Sequence, residues 1–476
     1  MLFKKKIKYL PFVILLFAGL FFTACTKKDE TPPIDDTTTT DDDTGTTDDD
    51  TSPNLFLGEI EWIKTYGGSD IDQAVAIVES NDGNFMVVGS TRSTDGELTG
   101  RTSNDSDYWL LKISAVDGSI IWNKIYGGPE DEVASNITKT SDGGYAISGY
   151  SRSTNSECGS QSNAGFHDYW LLKIDANGNQ QWCQNFGYSG SDQAFDFFET
   201  NEGGFFATGF FDVTASGGEG NNDRQGNGSL HGVGEFWAIK MDSNGEFIWT
   251  RYFGGLNNDR SYDALQTPDN GFLLIGSEES IPGENSDIIF NHGSYDFWAV
   301  KVNSDGAKEW TKSYGGVEID VAYAITPTAD GNYFIVGDSR SGDQNVTSNY
   351  GNADAWLIKI TPSGELIMQK NYGGNQFDSA KSILPIAEGN FLIAGASRSQ
   401  SNDVSFNNGE NDAWVFVVDA QGTLLFEKSI GGSALDFAED AIQSNGKLIV
   451  VGNTESNNGD IPLNKGIKDV LIAKIK

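Results

Sequence analysis

From residue 58 to the C-terminus, the chain alternates short apolar segments with turns rich in Gly, Asn and Asp. Polar and apolar side chains alternate within such segments, as in Glu59-Ile60-Glu61-Trp62. This period of two, together with many Val, Ile, Phe, Tyr and Trp residues, predicts β-strands bounded by tight turns. Four segments make one unit, and the unit recurs at intervals of 58 to 67 residues.

Each unit carries the same residues at fixed places. A Tyr-Gly-Gly sequence or a variant of it precedes the first strand, beginning at Tyr66, Tyr126, Phe186, Phe253, Tyr314, Tyr372 and Ile430. An aspartate then opens the first strand, at Asp72, Asp131, Asp192, Asp259, Asp320, Asp378 and Asp436. A sequence such as Asp107-Tyr108-Trp109 opens the third strand. Radial repetition of a four-stranded unit is typical of propeller blades.

The two ends of the repeat region complement each other. Residues 469–476 match a third strand that no fourth strand follows, and residues 58–64 match a fourth strand that no unit precedes. Pairing them completes a seventh unit and removes an open sheet edge, whereas an open solenoid would need no such half-units. The sequence therefore predicts an all-β fold: a seven-bladed β-propeller of four-stranded blades over residues 55–476, closed by pairing of the N-terminal strand with the C-terminal blade.

The first 54 residues differ from the repeats in composition. A lysine-rich start and an apolar run over residues 10–22 lead to Thr23-Ala24-Cys25. This order predicts a lipoprotein signal peptide over residues 1–24, with acyl chains such as palmitate attached at Cys25. An ordinary signal peptide followed by a chance cysteine is the alternative. Residues 25–54 have almost no apolar side chains and are predicted to form a disordered, Thr/Asp-rich linker.

Two parts of the chain resemble known bacterial proteins. Residues 26–30 resemble the export signal of Bacteroidota surface lipoproteins, and the Tyr-Gly-Gly and Asp-Gly-Gly-Tyr repeats resemble those of surface propellers from the same group, a family without a settled activity. The resemblance implies an outer-membrane protein, lipid-anchored and facing the cell exterior. The repeats are more distantly similar to quinoprotein-type propellers. However, the spacing from Asp175 to Trp182 is one residue shorter and the threonine is absent, so no cofactor is identified.

The net charge of −36 at pH 7 limits the partners. It argues against nucleic acid, whose binding needs a basic surface, and against broad capture of sulfated or uronic polymers. Neutral glycans, cationic partners and contacts bridged by calcium remain open. Of the three cysteines, Cys158 and Cys183 remain once Cys25 is lipidated, and the sequence leaves open whether they pair.

Seven aspartates are candidates for a site in the central channel. The first strand of each blade, with small residues such as Ala74 and Ala76, is expected to line the channel, so its opening aspartate would join a ring of carboxylates near the mouth. One interpretation is a calcium site or a polar ligand pocket. The favoured interpretation is that each aspartate accepts hydrogen bonds from the amides of the neighbouring glycine turn, because the feature repeats with the blade.

Blade three departs most from the repeat and supplies the candidate contact residues. It has the longest polar loop, over residues 213–234, and an unusual start at Phe186. A contact patch is predicted at Tyr188, Phe210, Phe211, Asp212, Arg224 and His231. Binding residues concentrate on loops carried by a rigid scaffold, although a long Gly/Asn-rich loop is also a tolerated insertion.

Three functions are compatible with these features. The first is a non-catalytic binding or scaffolding module at the cell surface, engaging a glycan or a surface protein. The alternative is a polysaccharide-active enzyme, a glycoside hydrolase or lyase, with carboxylates at the channel mouth. The third is a structural spacer. No catalytic residue can be singled out, because the acidic residues are many and repeated.

Overall fold

The computed structural model describes residues 56–154, 163–213, 234–283 and 286–476. These residues form 28 β-strands and two short 3-10 turns, at Gly96–Leu98 and Ala387–Gly389. The strands make seven antiparallel sheets of four, which confirms the predicted seven-bladed β-propeller. In this described part of the chain, no helix is long and apolar enough to cross a membrane.

Each complete blade uses four consecutive strands, and β1 (Ile60–Tyr66) stands before the first. Blade one contains β2 (Asp72–Glu79), β3 (Phe85–Thr91), β4 (Asp107–Ile113) and β5 (Ile120–Tyr126). Blade two contains β6 (Glu132–Lys139), β7 (Tyr145–Ser151), β8 (Asp168–Ile174) and β9 (Gln180–Phe186). Blade three contains β10 (Gln193–Glu199), β11 (Phe205–Phe211), β12 (Glu235–Met241) and β13 (Phe247–Phe253). Blade four contains β14 (Asp259–Gln266), β15 (Phe272–Glu278), β16 (Asp296–Val302) and β17 (Lys308–Tyr314).

Blade five contains β18 (Asp320–Pro327), β19 (Tyr333–Ser339), β20 (Asp354–Ile360) and β21 (Leu366–Tyr372). Blade six contains β22 (Asp378–Pro385), β23 (Phe391–Ser397), β24 (Asp412–Val418) and β25 (Leu424–Ile430). Blade seven contains β26 (Asp436–Ser444), β27 (Lys447–Thr454) and β28 (Asp469–Ile475), and β1 is its fourth strand.

The pairing of β1 with β28 closes the ring. The two strands are antiparallel, with Ile63 opposite Ala473 and Tyr66 opposite Val470. The hydrogen bonds continue to the end of the chain, where the amide of Lys476 donates to the carbonyl of Glu59 at 3.0 Å. This confirms the predicted closure, and it leaves no blade with an exposed third strand.

Aromatic residues of the third strands join neighbouring blades. Tyr108 of blade one packs against Trp170 of blade two with ring centroids 4.5 Å apart, and Phe297 packs in the same way against Trp356 at 4.5 Å. All four rings are buried. The third strand lies between two other strands and is covered on both faces, which explains its nearly continuous apolar sequence. The Asp-aromatic-Trp repeat is therefore a blade-to-blade packing motif.

The Tyr-Gly-Gly motif links the last strand of one blade to the next blade. The hydroxyl of Tyr372 in blade five donates to the carbonyl of Gly422 in blade six at 2.6 Å. Gly422 stands in a tight turn with a φ of +72°, a conformation that favours glycine. The second glycine of the motif, Gly374, donates its amide to Asp378 at 2.7 Å. The motif thus fastens the start of each first strand.

Candidate functional site

The first strands of the blades lie innermost and contact one another in a ring around the central channel. Each has a β-bulge, so that one residue stands unpaired between two paired ones, as Val75 does between Ala74 and Ala76. Ala74 and Ala76 are buried. The expectation that these alanines line the channel was wrong: the extra residue shifts the alternation, and the half-buried bulge residues face the channel instead.

The bulge residue varies among the blades, whereas the residue before it is small in every blade. The bulge residues are Val75, Ser135, Phe195, Tyr262, Tyr323, Lys381 and Glu439. The residues before them are all small: Ala74, Ala134, Ala194, Ser261, Ala322, Ala380 and Ala438. The small residues before the bulge satisfy the same packing requirement in every blade. The varied set breaks the symmetry of the ring, and such departures concentrate at functional sites.

Three bulge residues form an arc of aromatic rings along the channel wall. Phe195 and Tyr262 have ring centroids 5.0 Å apart, and Tyr262 and Tyr323 are 5.2 Å apart. Phe210 continues the arc, with its centroid 6.0 Å from that of Phe195, and the guanidinium of Arg260 lies 4.7 Å from the Phe210 ring. The arc spans blades three, four and five.

A charged cluster adjoins the arc in blades five to seven. The ammonium group of Lys381 lies 3.2 Å from the centroid of the Tyr323 ring, in the geometry of a cation–π contact. Burial lowers the pKa of Lys381, an effect that the charges of Asp338 and Glu439 oppose. Burial in turn raises the pKa of Asp338 to about 6 and raises that of Glu439, which also accepts a hydrogen bond from Asn453 at 3.1 Å.

A cavity of about 260 Å³ lies between blades five, six and seven. Its wall includes Tyr323, Asp338, Arg340, Lys381, Phe437 and Glu439. Ligand sites are concave, largely apolar and equipped with a few polar groups, and this cavity has that character on a small scale. It offers aromatic faces beside hydrogen-bond donors and acceptors, which is the chemistry of binding a small polar molecule or one unit of a polymer.

Of the contact patch predicted in blade three, the structure describes Tyr188, Phe210, Phe211 and Asp212. Phe211 is fully buried, with its ring 4.9 Å from that of Trp237, and Tyr188 packs 5.9 Å from Phe211 in the same apolar cluster. The backbone amide of Asp212 donates to Asp192 at 2.8 Å. Among the predicted residues the structure describes, Phe210 is the one that joins the aromatic arc of the channel.

Four of the residues named in the sequence analysis lie outside the described part of the chain: Arg224, His231, Cys25 and Cys158. Cys183 is disulfide-bonded, and its partner also lies outside the described part of the chain. The prediction of lipid attachment at Cys25 therefore remains a prediction.

The predicted aspartate ring is not a shared site. Six of its members are buried in the contacts between blades, at positions 72, 192, 259, 320, 378 and 436. Each accepts a hydrogen bond from a backbone amide of its own glycine turn, as Asp72 does from Gly68 at 2.7 Å. In blade two, Glu132 takes the equivalent position and accepts the amide of Gly128 at 2.6 Å. Asp131 instead pairs with Arg92 at 2.9 Å.

This arrangement agrees with the capping interpretation of the aspartates. Within the described ranges there is no group of three or more His, Cys, Asp or Glu side chains placed to hold a metal ion. The calcium ion that the sequence left open has no candidate site in that part of the molecule.

The channel residues were missed because bulges have no strong sequence signature. A signal was nevertheless present. In each first strand a variable residue follows a small one, as Lys381 follows Ala380 and Glu439 follows Ala438. A comparison of the seven units position by position would have isolated this column as the most varied one within an otherwise repetitive strand.

Comparisons with known proteins add the fold alone. No family model matches the chain, and no curated protein matches it. Among solved structures, it is similar to the WD40 propeller domain of Doa1, with 12% identity and a TM-score of 0.47 over 88% of this chain and 96% of that one. A protein of unknown function from Dyadobacter fermentans matches with 11% identity and a TM-score of 0.43, over 88% of this chain and 99% of that one.

A third similar structure is the quinohemoprotein alcohol dehydrogenase of Comamonas testosteroni, with 10% identity and a TM-score of 0.42 over 87% of this chain and 76% of that one. At 10–12% identity and TM-scores of 0.42–0.47, these similarities assign no function to this chain.

Proposed function

We propose that this protein is a non-catalytic binding propeller that holds a glycan at its central channel. The observation that carries the proposal is the arc of Phe195, Tyr262 and Tyr323 next to Lys381, at bulge positions that each follow a small residue. Aromatic rings offer flat apolar surfaces against which the C–H faces of sugar rings stack, and the polar groups beside them bond to hydroxyls. The small cavity suits one or two sugar units rather than a protein surface.

We expect the glycan to be neutral. Within the cavity Lys381 and Arg340 are accompanied by Asp338 and Glu439, so the two cations are balanced by two carboxyl groups. The whole chain carries a net charge of −36, which repels polyanions at long range. Hydrogen bonding and stacking, rather than charge attraction, would then supply the affinity.

We further propose that the propeller is tethered to the outer membrane through lipid at Cys25 and faces the cell exterior. The support is the sequence of residues 1–30. A linker of the length of residues 25–54 has a root-mean-square reach of about 30 Å if it behaves as a flexible coil, and charge repulsion among its acidic residues would extend it. That distance would let the channel mouth meet polymers outside the cell.

An enzyme acting on polysaccharides is the alternative, and one observation favours it. Asp338 and Glu439 both have a raised pKa and lie near Lys381 in the same cavity. Glycoside hydrolysis uses two carboxyl groups, one protonated and one ionised. Release of reducing ends from a glycan by the wild-type protein, but not by Glu439→Gln, would support this alternative over simple binding.

Calorimetric titration of the full chain with neutral and acidic oligosaccharides tests the proposal. The first variant is Tyr323→Ala, which removes the ring beneath Lys381. Its matched control is Phe247→Ala, because Phe247 is 54% exposed on the outer strand of blade three. An aromatic anchor at the centre of a site is commonly worth about 2 kcal/mol or more, so Tyr323→Ala should weaken binding at least about 30-fold.

The control variant should bind as the wild type does. Binding that both variants lose equally, or that neither loses, would overturn the channel as the site. Failure of every glycan to bind, together with capture of a surface protein that Tyr323→Ala does not weaken, would overturn the glycan proposal in favour of a protein partner.

A further inference from the structure

A buried acidic residue opens the third strand of every blade. These residues are Asp107, Asp168, Glu235, Asp296, Asp354, Asp412 and Asp469. In several of them one carboxyl oxygen accepts the backbone amide of the residue four positions earlier. Asp354 accepts that of Tyr350 at 2.8 Å, and Asp412 accepts that of Asn408 at 2.8 Å. This contact fastens the loop that leads into the third strand.

The other oxygen of Asp354 and Asp412 is an unusual feature. The Oδ1 atoms of both side chains have no hydrogen-bond partner within bonding distance, as is also true of Asp168, Asp296 and Asp469, and both Asp354 and Asp412 are 0% exposed. The side-chain amide of Asn371 lies beside Asp354. An ionised carboxylate in this position would leave a charged oxygen buried without a donor, which carries a large desolvation penalty. Buried polar atoms of this kind are rare in folded proteins and require a specific explanation.

The orphan oxygen faces a second carboxyl group across the contact between two blades. Around Gly431, the Oδ1 of Asp412 and the Oδ2 of Asp436 lie 2.4 Å and 2.8 Å from the point where a Cβ atom would stand. The two oxygens are therefore no more than about 5 Å apart. Asp436 belongs to the first strand of the next blade, so this contact brings together the acids that open two different strands. Asp354 has Asp378 of the next blade as its corresponding charged neighbour.

The two carboxyl groups have opposite surroundings. Asp436 accepts hydrogen bonds from Thr454 at 2.5 Å, from Ser456 at 2.7 Å and from the amide of Gly432 at 2.7 Å, which favours its ionised form. Asp412 has one donor on one oxygen and none on the other. A proton on that oxygen would make it a hydrogen-bond donor, since a protonated carboxyl group can donate whereas a carboxylate only accepts.

We propose that Asp354 and Asp412 are held protonated at mildly acidic pH, with the proton on Oδ1 and the first-strand carboxylate of the next blade as its acceptor. The groups that face Asp412 are Asp436 and Asp460, and those that face Asp354 are Asp378 and Asp403. All four are acids, so none supplies a positive charge to an ionised form. Burial, reinforced by these acids, raises the pKa of Asp354 and of Asp412 to about 7.

Two equivalent residues provide the contrast. Asp296 has the imidazole Nδ1 of His292 at 3.3 Å from its carboxyl group, and Asp469 has Lys465 as a neighbouring cation. Asp168 also has an acid, Asp192, as its charged neighbour, but its pKa rises only to about 6. The proposal is therefore restricted to Asp354 and Asp412, whose charged neighbours are all acids and whose pKa rises further. A metal ion fits less well, because the described part of the chain holds no group of three or more His, Cys, Asp or Glu side chains placed to bind one.

The consequence is a propeller that is stabilised by mild acid. An unfolded aspartate has a pKa of about 3.9, so between about pH 4 and pH 7 the folded chain binds protons that the unfolded chain does not. Stability from these residues is complete below the unfolded pKa and is lost as the pH rises through about 7.

Proton exchange on unfolding tests the proposal directly. Calorimetry of the full chain at pH 5.5, in buffers of different ionisation enthalpy, counts the protons released when the protein unfolds. The double variant Asp354→Asn with Asp412→Asn replaces each protonated acid by an amide that still donates. It should release about two protons fewer than the wild type, and Asp305→Asn, at an exposed turn, should not change the number.

Infrared spectroscopy of the wild type provides a readout that does not depend on the variants folding. A carbonyl band of protonated carboxyl groups should be present at pH 6 and should lose intensity as the pH rises from 6 to 8. An unchanged proton count in the double variant, or the absence of that band at pH 6, would overturn the proposal. Removal of the band by calcium at pH 6 would also overturn it, because a cation would then occupy the contact.

Discussion

The ammonium group of Lys381 lies 3.2 Å from the centre of the Tyr323 ring, and the two residues occupy equivalent bulge positions on adjacent blades. This contact joins the aromatic half of the channel wall to its charged half. Because a lysine in a desolvated channel needs compensating charge, Asp338 and Glu439 form part of the same arrangement. The channel therefore holds a local charge balance that the repeat itself does not require.

Replacing Lys381 by methionine should destabilise the fold, because Asp338 and Glu439 would lose the cation that opposes their burial. We expect a loss of about 1–3 kcal/mol in the free energy of unfolding at pH 8, measured with urea. The loss should shrink at pH 5, where both acids become neutral more readily. The control Lys381→Arg keeps the charge, and an equal loss in both variants would contradict the electrostatic explanation.

The affinity for glycan should depend on pH through Asp338. Its pKa of about 6 means that it accepts two or more hydrogen bonds as a carboxylate above pH 6 and becomes a neutral acid below it. A bound hydroxyl that donates to Asp338 should therefore be held less tightly at pH 5 than at pH 7.5. Titrations at both values test this, and Asp338→Asn should bind equally at the two. A pH dependence that persists in this variant would assign the effect to another group.

Removing one hydroxyl of the Tyr-Gly-Gly motif should weaken the contact between two blades. In Tyr372→Phe the buried carbonyl of Gly422 loses its donor at 2.6 Å, and an unsatisfied buried group costs about 1–3 kcal/mol. Urea unfolding should show this loss, whereas Tyr350→Phe, at a side chain that is 45% exposed, should change stability little. Equal stabilities for the two variants would mean that water replaces the lost donor.

A side chain at Gly431, which directly follows Ile430, should lower the stability of the fold. A methyl group on Gly431 would stand 2.4 Å and 2.8 Å from the carboxyl oxygens of Asp412 and Asp436, both of which belong to buried strand ends. We expect Gly431→Ala to lose about 1–3 kcal/mol through overpacking, measured as a lower thermal midpoint. Gly283→Ala is the control, since no atom lies within 4 Å of its added methyl group. A wild-type midpoint for Gly431→Ala would show that the contact is looser than described.

The blade and its closure were predictable because their determinants are local. Alternating side chains specify strands, Gly and Asn specify turns, and the half-units at residues 58–64 and 469–476 can satisfy their hydrogen bonds only by pairing with each other. The seven-fold repetition then reinforced each of these signals. For the same reason, the motifs that recur in every blade turned out to serve packing and capping rather than a ligand.

The candidate site depended on tertiary structure. In blade two, Glu132 rather than the adjacent Asp131 binds the glycine turn. Glu132 accepts hydrogen bonds from the amide of Gly128 and the hydroxyl of Ser151, whereas Asp131 pairs with Arg92. Likewise, Val75 rather than Ala74 borders the channel, because a bulge reverses which side chain faces which side. The sequence by itself determined the blades, their number and their closure through short-range patterns. The tertiary structure decided which side chains meet across the channel, since those residues lie about 60 positions apart and are brought together only by the closed ring.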